Sequence, residues 1–531
     1  MKKKVVAILL SVVCSIGLLS GCGREGSDSG TILSQEVSGV NATDNGTSAE
    51  TESNDEIVEI IWQYPTTMDT NSEGFRNVEN ALNEMMERDI GVHVTFEPVG
   101  LSESQNAAIL AVSAGERLDI MLSAFTSIGN VVDDGLIIPL DDLLDKYGQD
   151  ILEHSYTKEL CGFDGATYGV CTGNTLGNDE YGYMIKKRYW EKYDLANITN
   201  WTEEKLYTME EMEQIFEIVK AGEGDNFYCD VPPSTEAKPL NGGYIEYDYL
   251  SGSLSGGVLM LNRDFSDSTI YNLFETPEYE EYCKIRYEWA QKGYIAPDAA
   301  VTTESVEVIV AQDNYLGMFF VSMPQDMIVF DKGIGEEVVC LDMVPRYQAY
   351  KGGSVIQWSI PITCKNPEKA MQALNYIYKY PEATWLIQFG IEGSEYEVVE
   401  DDGEHKVIRY LAENTSDLPY YMVYGLWGNV LQWPSVEPQA LDNYEKQQAL
   451  DDAVPQERYS PAFGYSFVQE PVATELAAVN AVINQYTPSL NAGSLNPEQA
   501  LPEFINALKA AGMDTIIAEQ QKQYNAWLAS K

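Results

Sequence analysis

EIVEIIWQYP (residues 56–65) and SAGERLDIMLSAF (residues 113–125) bracket the segment whose reading decides the fold. Glu56–Ile61 has the β-branched content of a strand, and Trp62-Gln63-Tyr64-Pro65 reads as its exit loop. Phe75, Val78, Leu82 and Met85 then recur at helical spacing, which predicts a helix through about Arg88. His93–Phe96 fits a second strand. Ala107–Ala114 reads as a helix broken by Gly115-Glu116-Arg117, and Leu118–Leu122 as a short buried strand with Ser123, Ala124 and Phe125 just past its carboxyl end. Strand–helix–strand–helix–strand predicts a parallel α/β sheet, and ligands of such sheets lie outside the carboxyl ends of the strands.

Further along, Thr208 and Glu211 make a capping box ahead of Met212, Ile215, Phe216 and Val219. Pro277–Lys292 carries Tyr282, Ile285 and Trp289 on one helical face and is closed by Gly293. Asn366-Pro367 opens a helix with Ala370, Leu374 and Ile377. Leu501, Phe504, Ile505 and Leu508 mark another, stopped by Gly512, and the stretch to Lys531 is helical with Tyr524, Trp527 and Leu528 as docking residues.

At the other end, Lys2, Lys3 and Lys4 precede an apolar run from Val5 to Leu19. Fifteen residues are short of the ~20 that a membrane span needs and right for a signal-peptide core. The run ends in Leu19-Ser20-Gly21-Cys22, which resembles the bacterial lipobox. That resemblance implies that residues 1–21 are removed and that Cys22 becomes the lipidated first residue. Residues 22–56 are rich in Gly, Ser, Thr, Asn, Asp and Glu and nearly free of large apolar side chains, the composition of a disordered tether. Of the eight cysteines, Cys161, Cys171, Cys229, Cys283, Cys340 and Cys364 remain in the body. They read either as scattered buried thiols or as disulfides; Cys161 and Cys171, flanking a Gly-rich turn, are the pair best placed to join.

The 531 residues hold 33 Lys+Arg against 83 Asp+Glu, a formal charge of −50. A surface of that sign repels phosphate backbones, which argues against nucleic-acid binding, and it has no basic face for anionic lipid. The three histidines, His93, His154 and His405, are far apart and form no zinc or triad pattern. Asp69-Thr70-Asn71-Ser72-Glu73-Gly74 resembles half of a calcium loop, but Asn80 stands where a bidentate Glu is wanted, so it reads as a helix-capping loop. No metal or cofactor is expected.

SAGERLDIMLSAF with DDGLIIPLDDLLDKYG (133–148), GYMIKKRYWEKYDL (182–195), FETPEYEEYCKIRYEWAQKGYIAPDA (274–299), CKNPEKAMQALNYIY (364–378), GIEGSEYEVVEDDG (390–403), LWGN (426–429) and the tail from SPAFGYSFVQEPVATELAAV (460–479) to AAGMDTIIAEQQKQYNAWL (510–528) together resemble, in order, one family. That family is the bacterial extracellular solute-binding proteins, family 1, the carbohydrate-binding subunits of ABC importers. The resemblance implies an α/β, two-lobe, periplasmic-binding-protein-like (type II) fold with discontinuous lobes and a ligand cleft at the hinge. The expected division is residues 57–172 with about 300–355 in the N-terminal lobe and 173–299 with about 356–531 in the C-terminal lobe. It also implies a non-enzymatic monomer on the outer face of the cell membrane, held by lipidated Cys22, that captures a carbohydrate by lobe closure and delivers it to the transmembrane permease subunits.

Saccharide recognition calls for flat apolar faces and for side chains that hold hydroxyl groups, and the chain has 34 Tyr and 9 Trp. Position selects the ligand-binding candidates: Gln63 and Tyr64 after the first strand; Ser123 and Phe125 after the third; Asn174, Glu180 and Tyr181 in a Gly-rich crossover; Gln357 and Trp358 before Pro361; and Trp427 and Asn429 in a Gly-flanked loop, with Trp433 a weaker candidate. A surface glycan-docking lipoprotein without a transporter is the alternative. A secreted glycoside hydrolase is less favoured, because two carboxylates at working separation occur by chance among 83 acids and no G-x-S-x-G elbow is present.

Overall fold

The computed structural model describes residues 57–66, 68–124, 128–172, 181–202, 205–231, 247–250, 258–261, 268–302, 304, 306–321, 336–345, 356–412, 414–422 and 425–531. Strands β1 (Val58–Pro65) and β2 (Val92–Val99) run parallel, with Val58 opposite Val92 and Pro65 opposite Val99. Helix α1 (Glu73–Ile90) joins them and buries Phe75, Val78, Leu82 and Met86. The helical spacing pointed to Met85, but Met86 takes the inner position and Met85 packs at the margin. Ser72 caps α1, its Oγ accepting from the Phe75 N–H at 3.2 Å, so the Asp69–Gly74 loop starts a helix. Gly91 closes the helix at φ 62°, where a Cβ would be strained.

After helix α2 (Ser104–Ser113), strand β3 (Met121–Ser123) follows, tied parallel to β1 by a bridge between Trp62 and Ile120. Helices α3 (Ile128–Asp133), α4 (Asp141–Tyr147), α5 (Gln149–His154) and α6 (Thr157–Leu160) then lead to a small hairpin, β4 (Gly162–Phe163) with β5 (Ala166–Thr167), and to β6 (Val170–Cys171). The strand Gln357–Ser359 lies between β3 and β6, antiparallel to both. A second sheet centres on β7 (Tyr181–Lys186), flanked on its two sides by Gly317–Val321 and Val338–Asp342, both antiparallel to it.

Three cores follow from these pairings. The first packs Trp62, Leu82, Trp358, Leu374, Ile377 and Trp427. The second-sheet core packs Tyr183, Ile185 and Trp289 with Phe216 from the helix Met209–Glu223, whose capping box of Thr208 and Glu211 is formed. The third joins Phe274 and Tyr279 to Val479, Phe504 and Tyr524 of the helices Ala473–Asn491, Pro497–Ala511 and Met513–Ser530. Residues 306–321 and 336–342 therefore go with β7, while 356–379, 420–422 and 425–427 go with the first sheet. This differs from the expected division, which sent 300–355 to the first lobe and everything from 356 to the second. The reason is strand pairing across long sequence separation, which apolar periodicity does not encode. Among the described residues no helix is long and apolar enough to cross a membrane.

The second and third cores meet at a buried ion pair. Arg286, on the helix Pro277–Gln291, faces Asp230, with side-chain exposures of 3% and 1%, and its Nε donates to the Asn491 carbonyl at 2.8 Å. Burial pushes the Asp230 carboxyl up, and the guanidinium pulls against that shift. Removing one member leaves a lone buried charge, so Arg286→Met is expected to lower stability by about 3–5 kcal/mol in urea denaturation. The double change Arg286→Met with Asp230→Leu is expected to recover most of that loss.

Candidate functional site

Three strands end in one row. Ser123 and Cys171 stand at the carboxyl ends of β3 and β6, and Gln357, at the amino end of the antiparallel strand between them, lies opposite both. Gln63 fastens this edge from the side of β1. Its backbone N–H donates to Ile120 O at 2.9 Å, its Oε1 accepts from Leu122 N–H at 2.8 Å, and its Nε2 donates to Ser104 O at 2.8 Å. One buried amide thus holds β1, β3 and the start of α2 together. Ser123 Oγ lies 3.3 Å from Ser359 Oγ.

Several buried polar groups of this region have no hydrogen-bond partner, among them the indole N–H groups of Trp62 and Trp427. Gln357 is 2% exposed, and its Oε1 has no hydrogen-bond partner. Both amide atoms of Gln105, in the first turn of α2, are also buried and unpartnered. Each such group costs about 1–3 kcal/mol when left dry. Gly169 leaves room for one of them, since a Cβ there would stand 2.3 Å from Gln357 Oε1.

Aromatic rings back the row. Trp358 and Trp427 have centroids 4.8 Å apart, Trp62 meets Trp358 edge-on at 5.5 Å, and Tyr64 stacks on Trp427 at 5.3 Å. Trp358 Nε1 donates to Leu426 O at 3.1 Å. Tyr64 hydrogen-bonds through its hydroxyl to Tyr420, and burial together with that neighbouring phenol holds the Tyr64 hydroxyl well above the ordinary phenol range. The wall is therefore uncharged at any working pH.

Of the expected ligand residues, Gln63, Tyr64, Ser123, Gln357, Trp358 and Trp427 come together here, and Asn429 follows on the Trp427 loop. Phe125, Asn174 and Glu180 lie outside the described residues, as does the side chain of Tyr181. The aromatic faces do not stand open. Trp358 and Trp427 are 0% exposed and Tyr64 is 1% exposed, so their rings are spent on one another. Trp427 was expected to face a cleft because glycines flank it. Instead Gly428, at φ 62° and with Ile377 O where a Cβ would go, lets the loop dip and seat the indole in the core. Asn429 caps the short turn that follows, its Oδ1 accepting from Leu431 N–H at 3.0 Å. Trp433 packs edge-on against Phe389. Ser104, Gln105, Gly169 and Ser359 were not singled out from the sequence. Their importance comes from which strand end each adjoins, and no local pattern carries that. A separate opening of about 850 Å3, among Asp133, Phe163, Asp164, Phe463 and Trp527, shares no residue with this row.

The fold is that of the two-lobe solute-binding proteins. The crystal structure of the N-glycan transport solute-binding protein NgtS from Streptococcus pneumoniae superposes with a TM-score of 0.72 at 19% identity, covering 89% of this chain and 99% of that one. An HMO-binding, ABC-transporter-associated solute-binding protein from Bifidobacterium longum infantis ATCC 15697 gives 0.62 at 15% identity, covering 89% and 98%. In sequence, the chain is similar to a carbohydrate ABC transporter substrate-binding protein of Streptococcus pneumoniae serotype 4 (strain ATCC BAA-334 / TIGR4). The two are 23% identical over 463 residues, 85% of this chain and 87% of that protein. The model of a domain of unknown function, DUF3502, matches residues 461–529. The resemblance read from the ordered sequence segments is thus the one these comparisons return.

The two glutamines are expected to separate in their effects. Gln63→Ala strips two backbone groups of their partner and should cost about 2–4 kcal/mol in urea unfolding of the free protein. Gln357→Leu removes an acceptor that bonds nothing and should leave that stability unchanged or raised.

Proposed function

We propose that this chain is the extracellular substrate-binding subunit of an ABC importer for a carbohydrate, an oligosaccharide in particular. The observation that carries the reading is the row of Ser123, Gln357 and Cys171 at the strand ends, with Gln357 Oε1 and the Gln105 amide left unbonded, in a chain similar along 85% of its length to a carbohydrate-importer binding protein. An amide oxygen accepts from a sugar hydroxyl and an amide N–H donates to one, so a saccharide would supply the partners that the fold does not. The aromatic wall keeps this edge rigid beneath the ligand. Phe125, after β3, Asn174 and Glu180, between β6 and β7, and Tyr181, the first residue of β7, would supply the flat faces and further hydroxyl contacts. One buried row cannot hold a long glycan alone, so the second lobe would close on it. The protein acts without changing its cargo, as a monomer, and hands it to the membrane permease.

The expected experiment is titration of residues 57–531 with a panel of oligosaccharides, followed by tryptophan fluorescence and melting temperature, with product analysis of each hit. A saturable shift with the sugar recovered intact is the expected outcome. Ligand at ~100 times its Kd should add ~2.7 kcal/mol. Sugar recovered cleaved, or no response to any glycan, would overturn the reading. Gln357→Leu should raise Kd about tenfold, the worth of one lost hydrogen bond.

Anchoring has its own test. A lipid chain pair on Cys22 would hold the mature protein on the membrane. Cys22→Ser is expected to abolish incorporation of radiolabelled palmitate and to leave the uncleaved precursor. Palmitate incorporation that persists in the variant would remove Cys22 as the anchor.

A further inference from the structure

All six body cysteines are free thiols in the structure, but two of them are not apart. Cys161 and Cys171 belong to one small buried cluster with Leu160, at 0% and 7% exposure. Burial, with the Cys171 side chain as a neighbour, pushes the Cys161 thiol well above its ordinary range. Thr157 sets both backbones. Its carbonyl accepts from Cys161 N–H at 3.0 Å, and its Oγ1 accepts from Cys171 N–H at 3.1 Å. The chain between them turns through the β4–β5 hairpin and comes back beside its start, with Tyr168 N–H donating to Cys161 O at 2.9 Å. Cys229, Cys283 and Cys364 belong to three different cores.

We propose that Cys161 and Cys171 are a covalent modification site, closing an intramolecular disulfide when the chain folds outside the cytoplasm. The bond would tie the end of α6 to the end of β6. Cys171 is the residue that lies opposite Gln357 in the strand-end row, and its carbonyl accepts the Tyr378 hydroxyl. The staple therefore fixes one wall of the candidate site as well as the hairpin.

The chemistry is thiol–disulfide exchange. One thiolate attacks a sulfur of an oxidised partner, which is a disulfide oxidase or oxidised glutathione, and gives a mixed disulfide. The second thiolate displaces that partner. Two electrons and two protons leave the pair and appear as two thiols on the oxidant. Timing follows from burial. Inside the folded protein Cys161 has no solvent path, and burial pushes its thiol up, so it is a poor nucleophile there. Closure belongs to the folding chain, and the finished bond is shielded from reductant in the same way.

The inference rests on the export proposed above and not on the ligand, so thiol labelling and saccharide titration fail separately. The tryptic fragment Glu159–Lys186 contains both cysteines and no internal Lys or Arg. The full chain, secreted by its own route, is to be denatured with N-ethylmaleimide and no reductant. The fragment is expected unlabelled and about 2 mass units light. Cleavage at its two aspartates, Asp164 and Asp179, should then leave two cysteine-bearing pieces that separate only after reduction. Protein refolded from denaturant with mixed oxidised and reduced glutathione should regain the bond, whereas folded, reduced protein exposed to the same mixture should not. Both thiols labelled after secretion and again after oxidative refolding would overturn the proposal. As a second reading, Cys161→Ser with Cys171→Ser should lower Tm by about 3 °C against the oxidised parent, and the reduced parent should melt with the variant. Equal melting of the oxidised and reduced parent would also count against it.

Discussion

Trp358 carries the first lobe. Its strand fills the gap between β3 and β6, and its indole is fully buried against Trp62 and Trp427. A side chain of that size contributes roughly 3–5 kcal/mol relative to alanine in such a place. More depends on it than stability. Without the strand Gln357–Ser359, β3 and β6 have no common neighbour, and Ser123 and Cys171 are not in one row. The candidate site exists because one three-residue strand returns from far along the chain.

The site combines rigidity with unmet polarity. The Gln63 amide spends both ends on Leu122 and Ser104, and the aromatic rings behind it spend their faces on each other. Nothing in that layer is free to move toward a ligand. Gln357 and Gln105 are the opposite case, held in place with buried amide atoms unbonded. A free protein bears that cost in stability, and under the proposed function a hydroxyl-rich ligand would recover it on binding. The formal charge of −50 suits a neutral cargo and would repel an anionic one.

The helices were the legible part. The capping box at Thr208 and Glu211 and the Gly512 stop form as their local chemistry requires, and the helix after Asn366 starts at Pro367 without a cap bond from the Asn366 side chain. Local hydrogen bonding and 3.6-residue periodicity are properties of short windows, so a window suffices to find them. The first sheet was legible for the same reason as far as β3. The candidate site was half legible. Gln63 and Ser123 were reached from strand ends and Gln357 from its place before Pro361, but Trp427 was assigned an open face that the structure turns inward around Gly428.

By itself, the sequence determined the parallel α/β start, the presence of the main helices and some of their caps, the acidic surface and, through its ordered segments, the two-lobe class. Tertiary structure alone decided which distant strands pair, that Gly317–Val321 and Val338–Asp342 join β7 while 356–379 join the first sheet, and which polar atoms stay unbonded. The physical reason is the range of the forces involved. Propensity and capping act over a few residues. Strand register and hydrogen-bond satisfaction are settled only when segments hundreds of residues apart compete for the same neighbours.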